Sequence, residues 1–336
     1  MKRVVLALDW TPNTNHSGFY VAQVKGLYAA AGLEVVIKSP EDAGGVTPAR
    51  QVAAGTADLA VTPSETAISF ATTGPDKPRL VAVAALLQGS ASAIAVLANA
   101  GIETPRDLAG KRYASYDGRF EDRIVARMVS NDGGDGAAVQ FHSLDFHGYD
   151  DPKAMGAGSV VASHLEQRRS DSTWIFPHWE GVLAERAGQK LRCFAPEDYG
   201  VPYGYSPVLL AHPDLLAAGG PTLRAFLAAT AKGFQEAASD ASAAAAALCA
   251  CGHPSLADAE FVRASAAAVA PKYLSPQGKW GAMERPRWAA FVDFLSASGV
   301  LTDREGKAIA RDAVDEAQLF TNEYSFSRHR GSGNTR

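Results

Sequence analysis

The chain has 336 residues, of which 47% are hydrophobic, and a formal net charge of −4. That length can bury a large core and favours two lobes over one, while the scattered Lys and Arg residues exclude the electrostatic footprint of a nucleic-acid or anionic-membrane binder. Cys193, Cys249 and Cys251 are too few, and odd in number, for a secreted disulfide framework.

Residues 4–8 form an apolar, β-branched run that predicts a buried strand. The run is shorter than the roughly 7 to 15 apolar residues of a secretory core segment. The expectation is therefore a cytoplasmic chain without an export signal, which argues against a membrane transporter as partner. After the turn-rich Thr11-Pro12-Asn13-Thr14-Asn15, residues 18–31 carry helical spacing and stop at Gly32. Next come a strand at 33–37, a helix at 48–54, a short strand at 59–61 and a helix at 63–73. This β/α alternation predicts an α/β protein with a mainly parallel sheet flanked by helices. Residues 80–102 carry no charge, but Gln88, Gly89, Ser90, Ser92 and Asn99 break the run. Strands at 80–87 and 93–97 with a hinge between them fit better than a membrane span.

A second α/β set follows: a helix at 104–108, strands at 112–115 and 173–176 around a helix at 119–131, then a Tyr-, Gly- and Pro-rich crossing at 198–207 into a last strand at 208–211. The first lobe is therefore predicted to be discontinuous, residues 1–88 joined by 207–325, with residues 89–206 as the second lobe. Alanine-rich helices are predicted at 221–239, 241–250, 257–270 and 285–298, and residues 326–336 read as a disordered tail.

Ligand candidates sit where strands end. Asp9 to Gly18 places an indole, amides, an imidazole and hydroxyls on the first β-to-α turn. Trp10 is suited to stack on a flat ring while Asn13, Asn15 or His16 reads its edge. Alternatively, Trp10 belongs to the core and Asn15 caps the next helix. Thr62-Pro63-Ser64-Glu65 reads as a capping box, and Thr62, Ser64 and Thr66 are at the same time placed to face a cleft at the sheet edge. Trp179 and Glu180 have the makings of a recognition pair, the carboxylate accepting from an amino group or a protonated ring nitrogen. The bland alternative is a carboxylate favoured by a helix N-terminus. Gly118 and Arg119, in a turn opening a helix, are either an anion site or a structural turn. Tyr199, Tyr203 and Tyr205 either line the cleft or stiffen the crossing. Cys249, Cys251 and His253 lack the spacing of a closed zinc site, and no metal is expected. No nucleophile-elbow, Walker or dinucleotide-binding signature occurs.

Leu8-Asp9-Trp10-Thr11-Pro12-Asn13-Thr14-Asn15-His16, Gly18-Phe19-Tyr20-Val21-Ala22, Ala57-Asp58, Leu108-Ala109-Gly110-Lys111, Trp179-Glu180-Gly181 and Thr321-Asn322-Glu323-Tyr324 resemble the thiamine-pyrimidine (hydroxymethylpyrimidine phosphate) synthase and precursor-binding family of the SsuA-like solute-binding superfamily. The resemblance implies a two-lobed type II periplasmic-binding-protein fold that binds a small heterocycle, with Trp10, Asn13 and Glu180 at the ligand. The family's binders normally hand their ligand to a membrane transporter. Its fungal enzymes act on pyridoxal phosphate with iron, using a lysine and a histidine that here are Thr62 and Thr66 and a cysteine motif that here is Tyr203-Gly204-Tyr205-Ser206. The resemblance thus leaves three functions: an aminopyrimidine binder without a cofactor, a synthase-like enzyme using His16 or His178, and a riboflavin binder or a sulfonate or other anion binder, for which last Arg119 would matter most. Pairing into a homodimer is left open.

Overall fold

The computed structural model describes residues 1–73, 78–144, 161–218, 220–303 and 305–324; the expected tail at 326–336 lies outside them. Among the described residues ten strands form two sheets. They are β1 (Lys2–Ala7), β2 (Leu33–Lys38), β3 (Leu59–Thr62), β4 (Val81–Ala85), β5 (Ala93–Leu97), β6 (Arg112–Ser115), β7 (Gln140–Ser143), β8 (Ser172–Ile175), β9 (Leu191–Phe194) and β10 (Val208–Ala211). The first sheet has the order β2-β1-β3-β10-β4 and the second β7-β6-β8-β5-β9.

Both sheets are mixed, where the alternation predicts mainly parallel ones. β1 runs parallel to β2 and β3, and β6 parallel to β7 and β8. β10 enters the first sheet antiparallel to β3 and β4, with Val208 opposite Thr62. β5 does the same in the second sheet, between β8 and β9. Each inverted strand directly follows a crossing between the sheets, so it arrives from the side at which the parallel strands end. The uncharged stretch supplies β4 and β5, and among the described residues no helix is long and apolar enough to cross a membrane.

Gly26, in a left-handed conformation (φ 68°), splits the predicted first helix into Ser17–Val24 and Leu27–Ala30. Helix Pro221–Ser239 crosses the first of these at a glycine contact: a Cβ on Gly18 would lie 2.1 Å from the Phe234 ring, and one on Gly233 2.1 Å from the Gly18 carbonyl oxygen. This close approach fixes the helix that follows the first turn, and with it the turn itself. Between the sheets the chain crosses at 86–92 and again at Tyr205 to Pro207. The Leu86 amide donates to the Pro207 carbonyl (3.0 Å), and Ser90 pairs with Ser206.

Candidate functional site

A cavity of about 190 Å³ lies between the sheets. Trp10 and Asn13 reach it from the turn after β1, and Trp179 and Glu180 from the turn after β8. Asn15, Tyr116, Trp174, Phe176 and Tyr203 complete most of its aromatic and amide wall. Trp10 meets Tyr116 edge to face across the cavity, with ring centroids 6.0 Å apart. Trp179 is anchored against Phe261 (4.5 Å) in helix Ala259–Val269.

The first turn is held by its own side chains. Asn13 Oδ1 accepts from the Asn15 amide (2.9 Å), and Asn13 Nδ2 donates to the Thr11 carbonyl (3.0 Å). The Asn13 amide donates to His16 Nδ1 (3.2 Å), so the proton sits on Nε2 and is donated to Asp9 (2.8 Å). His16 is fully buried, braces the turn from behind and is not among the residues that line the cavity. Asn13 lines the cavity but spends its side-chain amide on the turn. Asn15 instead links the lobes, because its Oδ1 accepts from His178 Nε2 at 2.7 Å. Burial pushes His178 down to about 3, so it stays neutral and donates.

Glu180 projects from the turn at Pro177–Gly181 and lines the cavity, with Oε2 accepting from the Phe176 amide (2.9 Å). Two more carboxyls share the wall, Glu65 and Glu121. Burial pushes all three up to about 7. A carboxyl whose native value is raised binds its proton more tightly folded than unfolded. Its stabilising contribution is therefore complete below the ordinary value of 4.5 and is lost as pH rises through about 7. Urea denaturation of the ligand-free protein is expected to show lower stability at pH 7.5 than at pH 5 (both about neutral to mildly acidic, spanning that window). A stability that rises over the same interval would contradict the burial that raises these three carboxyls.

The other sequence candidates land elsewhere. The loop around Gly118 does bind an anion, but the anion is its own: Glu121 accepts from the amides of Tyr116 and Gly118 (3.2 Å each) and from the Tyr113 hydroxyl (2.8 Å). Arg119 donates from Nη1 to the Ser69 carbonyl (2.9 Å), Ser69 Oγ (2.9 Å) and Thr72 Oγ1 (3.1 Å), and from Nη2 to the Thr302 carbonyl. It bridges the two lobes and also lines the larger cleft, so Gly118 and Arg119 form a structural turn and latch at the edge of that cleft. Ser64 lines neither cavity: its Oγ accepts from the Tyr205 amide (3.0 Å) and its amide donates back to the Tyr205 carbonyl (2.9 Å). The expected capping box is absent: Pro63 is the cap residue, without a side-chain cap bond, and the helix is Ser64–Ala71. Thr62 and Thr66 line a larger adjoining cleft of about 770 Å³ that also takes in Arg50 and Arg123. Tyr205 packs against Trp288 and takes the Glu284 amide on its hydroxyl (2.9 Å), so of the crossing's tyrosines Tyr203 lines the cavity. His253 caps a turn through the Ser255 amide (3.2 Å), and among the described residues no cluster of three His, Cys, Asp or Glu side chains could hold a metal.

Sequence reasoning missed Trp174, Phe176, Glu65 and Glu121 as cavity residues. Phe176 lies within the aromatic run before Glu180 and Glu65 within the Thr62–Thr66 motif, so both lay in segments already singled out. Trp174 opens the same aromatic run and Glu121 closes the turn that begins at Tyr116, so these two also lay in segments singled out without being named for the cavity.

Two mixed five-stranded sheets joined by crossings, with a cavity between them, define the two-lobed type II periplasmic-binding-protein fold. The alkanesulfonate-binding protein SsuA from Xanthomonas axonopodis pv. citri superposes with a TM-score of 0.64 over 94% of this chain and 98% of its own, at 16% identity. Residues 13–244 match the NMT1/THI5-like family, and the chain belongs to that family. A formylaminopyrimidine-binding protein of Halalkalibacterium halodurans is 25% identical over 318 residues, covering 93% of this chain and 89% of its own. A 4-amino-5-hydroxymethyl-2-methylpyrimidine phosphate synthase of Legionella pneumophila is 25% identical over 235 residues, 69% of this chain and 68% of its own.

Proposed function

We propose that this chain binds an aminopyrimidine precursor of thiamine in the interlobe cavity and serves biosynthesis or salvage of the pyrimidine moiety. The observation that carries this reading is the meeting of Trp10 and Glu180, from different sheets, on one small cavity. An indole offers a face to a flat ring, and a buried carboxylate accepts from an exocyclic amine and a protonated ring nitrogen. Arg119 is engaged in the interlobe latch, which disfavours a sulfonate. The relatives named for pyrimidine binding and pyrimidine synthesis support the thiamine link.

Pyridoxal phosphate does not fit here as a Schiff base. Thr62 stands where the fungal enzymes' lysine is expected, its hydroxyl donates to the Pro63 carbonyl (3.2 Å), and no lysine lines either cavity among the described residues. A hydroxyl cannot condense with the aldehyde to an imine. His16 and His178 are both spent on structural hydrogen bonds. Calorimetric titration with 4-amino-5-hydroxymethyl-2-methylpyrimidine, its formylaminomethyl counterpart, thiamine, riboflavin, an alkanesulfonate and pyridoxal phosphate tests the reading. One of the first two is expected to bind most tightly, and a preference for any of the others would overturn it.

A further inference from the structure

Glu65 enters the cavity from the lobe opposite Glu180, on the first turn of the Ser64–Ala71 helix. Its carboxyl accepts from the Tyr203 hydroxyl, yet Oε2 is buried and has no hydrogen-bond partner. Native proteins seldom leave a buried polar atom unpaired, and an unexplained one at a cavity wall points to something that pairs with it. The contrast with its neighbour is informative. Glu121, on the same wall, has both oxygens engaged by Tyr113 and by the amides of Tyr116 and Gly118, so it completes a turn and asks nothing of a ligand. Glu65 commits one oxygen to Tyr203 and has the other unpartnered, while Glu180 lines the cavity from the other lobe with Oε2 held by the Phe176 amide.

We propose that Glu65 is a second specificity-determining residue of this cavity, accepting a hydrogen bond from a donor on the ligand's substituent arm while Glu180 reads the amino-bearing edge of the ring. The inference rests on the aminopyrimidine reading and adds a requirement to it: the ligand carries two donor positions, one for each lobe. A ligand of that kind ties the lobes together, because each carboxyl belongs to a different sheet. Glutamine at position 65 would keep the shape but has one acceptor where the carboxylate has two. Satisfying Tyr203 would then turn its NH2 group toward the ligand's donor.

Two probes separate the roles: 4-amino-5-hydroxymethyl-2-methylpyrimidine, and 4-amino-2,5-dimethylpyrimidine, which lacks only the hydroxyl. Titrated into wild type, Glu65→Gln and Glu180→Gln, the hydroxymethyl probe is expected to lose about 10-fold or more in affinity with Glu65→Gln, and the dimethyl probe less than about two-fold. Glu180→Gln should weaken both. Glu65→Met, which fills similar space without polar atoms, should remove the same preference for the hydroxymethyl probe, and melting temperatures report whether each variant is folded. Equal losses on the two probes with Glu65→Gln, or no loss on either, would overturn the role of Glu65. Failure of the wild type to bind both probes would overturn the aminopyrimidine reading itself.

Discussion

Glu180→Gln is expected to weaken binding of 4-amino-5-hydroxymethyl-2-methylpyrimidine by about 1.5 to 3 kcal/mol, the scale of a hydrogen bond to a charged group, or about ten- to more than a hundredfold in Kd. The size follows from how the carboxyl is held. One oxygen is fixed by the Phe176 amide, so in the glutamine variant the carbonyl takes over that bond and the NH2 group faces the cavity. A donor then meets the ligand's own amino group, and the pair repels where it formerly attracted. The turn itself should survive, because its backbone anchor is preserved, and calorimetry of the folded variant isolates the lost contact. An unchanged Kd would remove Glu180 from the ligand.

Trp10→Ala is expected to cost about 1 to 3 kcal/mol in the same titration, the range found when an aromatic stacked on a base is removed. Trp10→Phe should keep most of the affinity, since the ring face is retained. The alanine variant would also lose the edge-to-face contact with Tyr116, which spans the two lobes. Part of its cost should therefore appear as a looser ligand-free protein, visible as a lower melting temperature. Equal Kd for wild type and Trp10→Ala would show that the indole is only part of the wall.

Much of the fold was legible because most of its strands are short apolar runs flanked by turn residues. β5, β6 and β10 coincide with the runs at 93–97, 112–115 and 208–211. β7 and β9 were not legible. Both lie at the edges of the second sheet, where Gln140–Ser143 is largely exposed and Leu191–Phe194 includes Arg192 and the exposed Cys193, so neither presents a buried run. The antiparallel insertion of β5 and β10 was hidden for another reason: strand direction is set by where the chain re-enters a sheet, and a five-residue pattern carries no direction.

The site divides in the same way. Trp10 and Glu180 stand out in sequence because they sit in dense aromatic and polar turns after strands, and the structure brings both to one cavity. His16, Ser64 and Arg119 have the right chemistry for ligands, but each is consumed by a protein partner: Asp9, the Tyr205 backbone, and carbonyls across the lobes. Residue type alone does not reveal that consumption. Glu65 shows the converse, since its place in a motif that looks like a helix cap conceals an unpaired buried oxygen at the cavity wall.

The most direct measurement is a crystal structure of the protein with 4-amino-5-hydroxymethyl-2-methylpyrimidine. The account predicts the pyrimidine ring against the Trp10 indole, with its amino group donating to the Glu180 carboxylate. A ligand seated in the larger cleft beside Arg50 and Thr66, with Glu180 making no contact to it, would contradict the account.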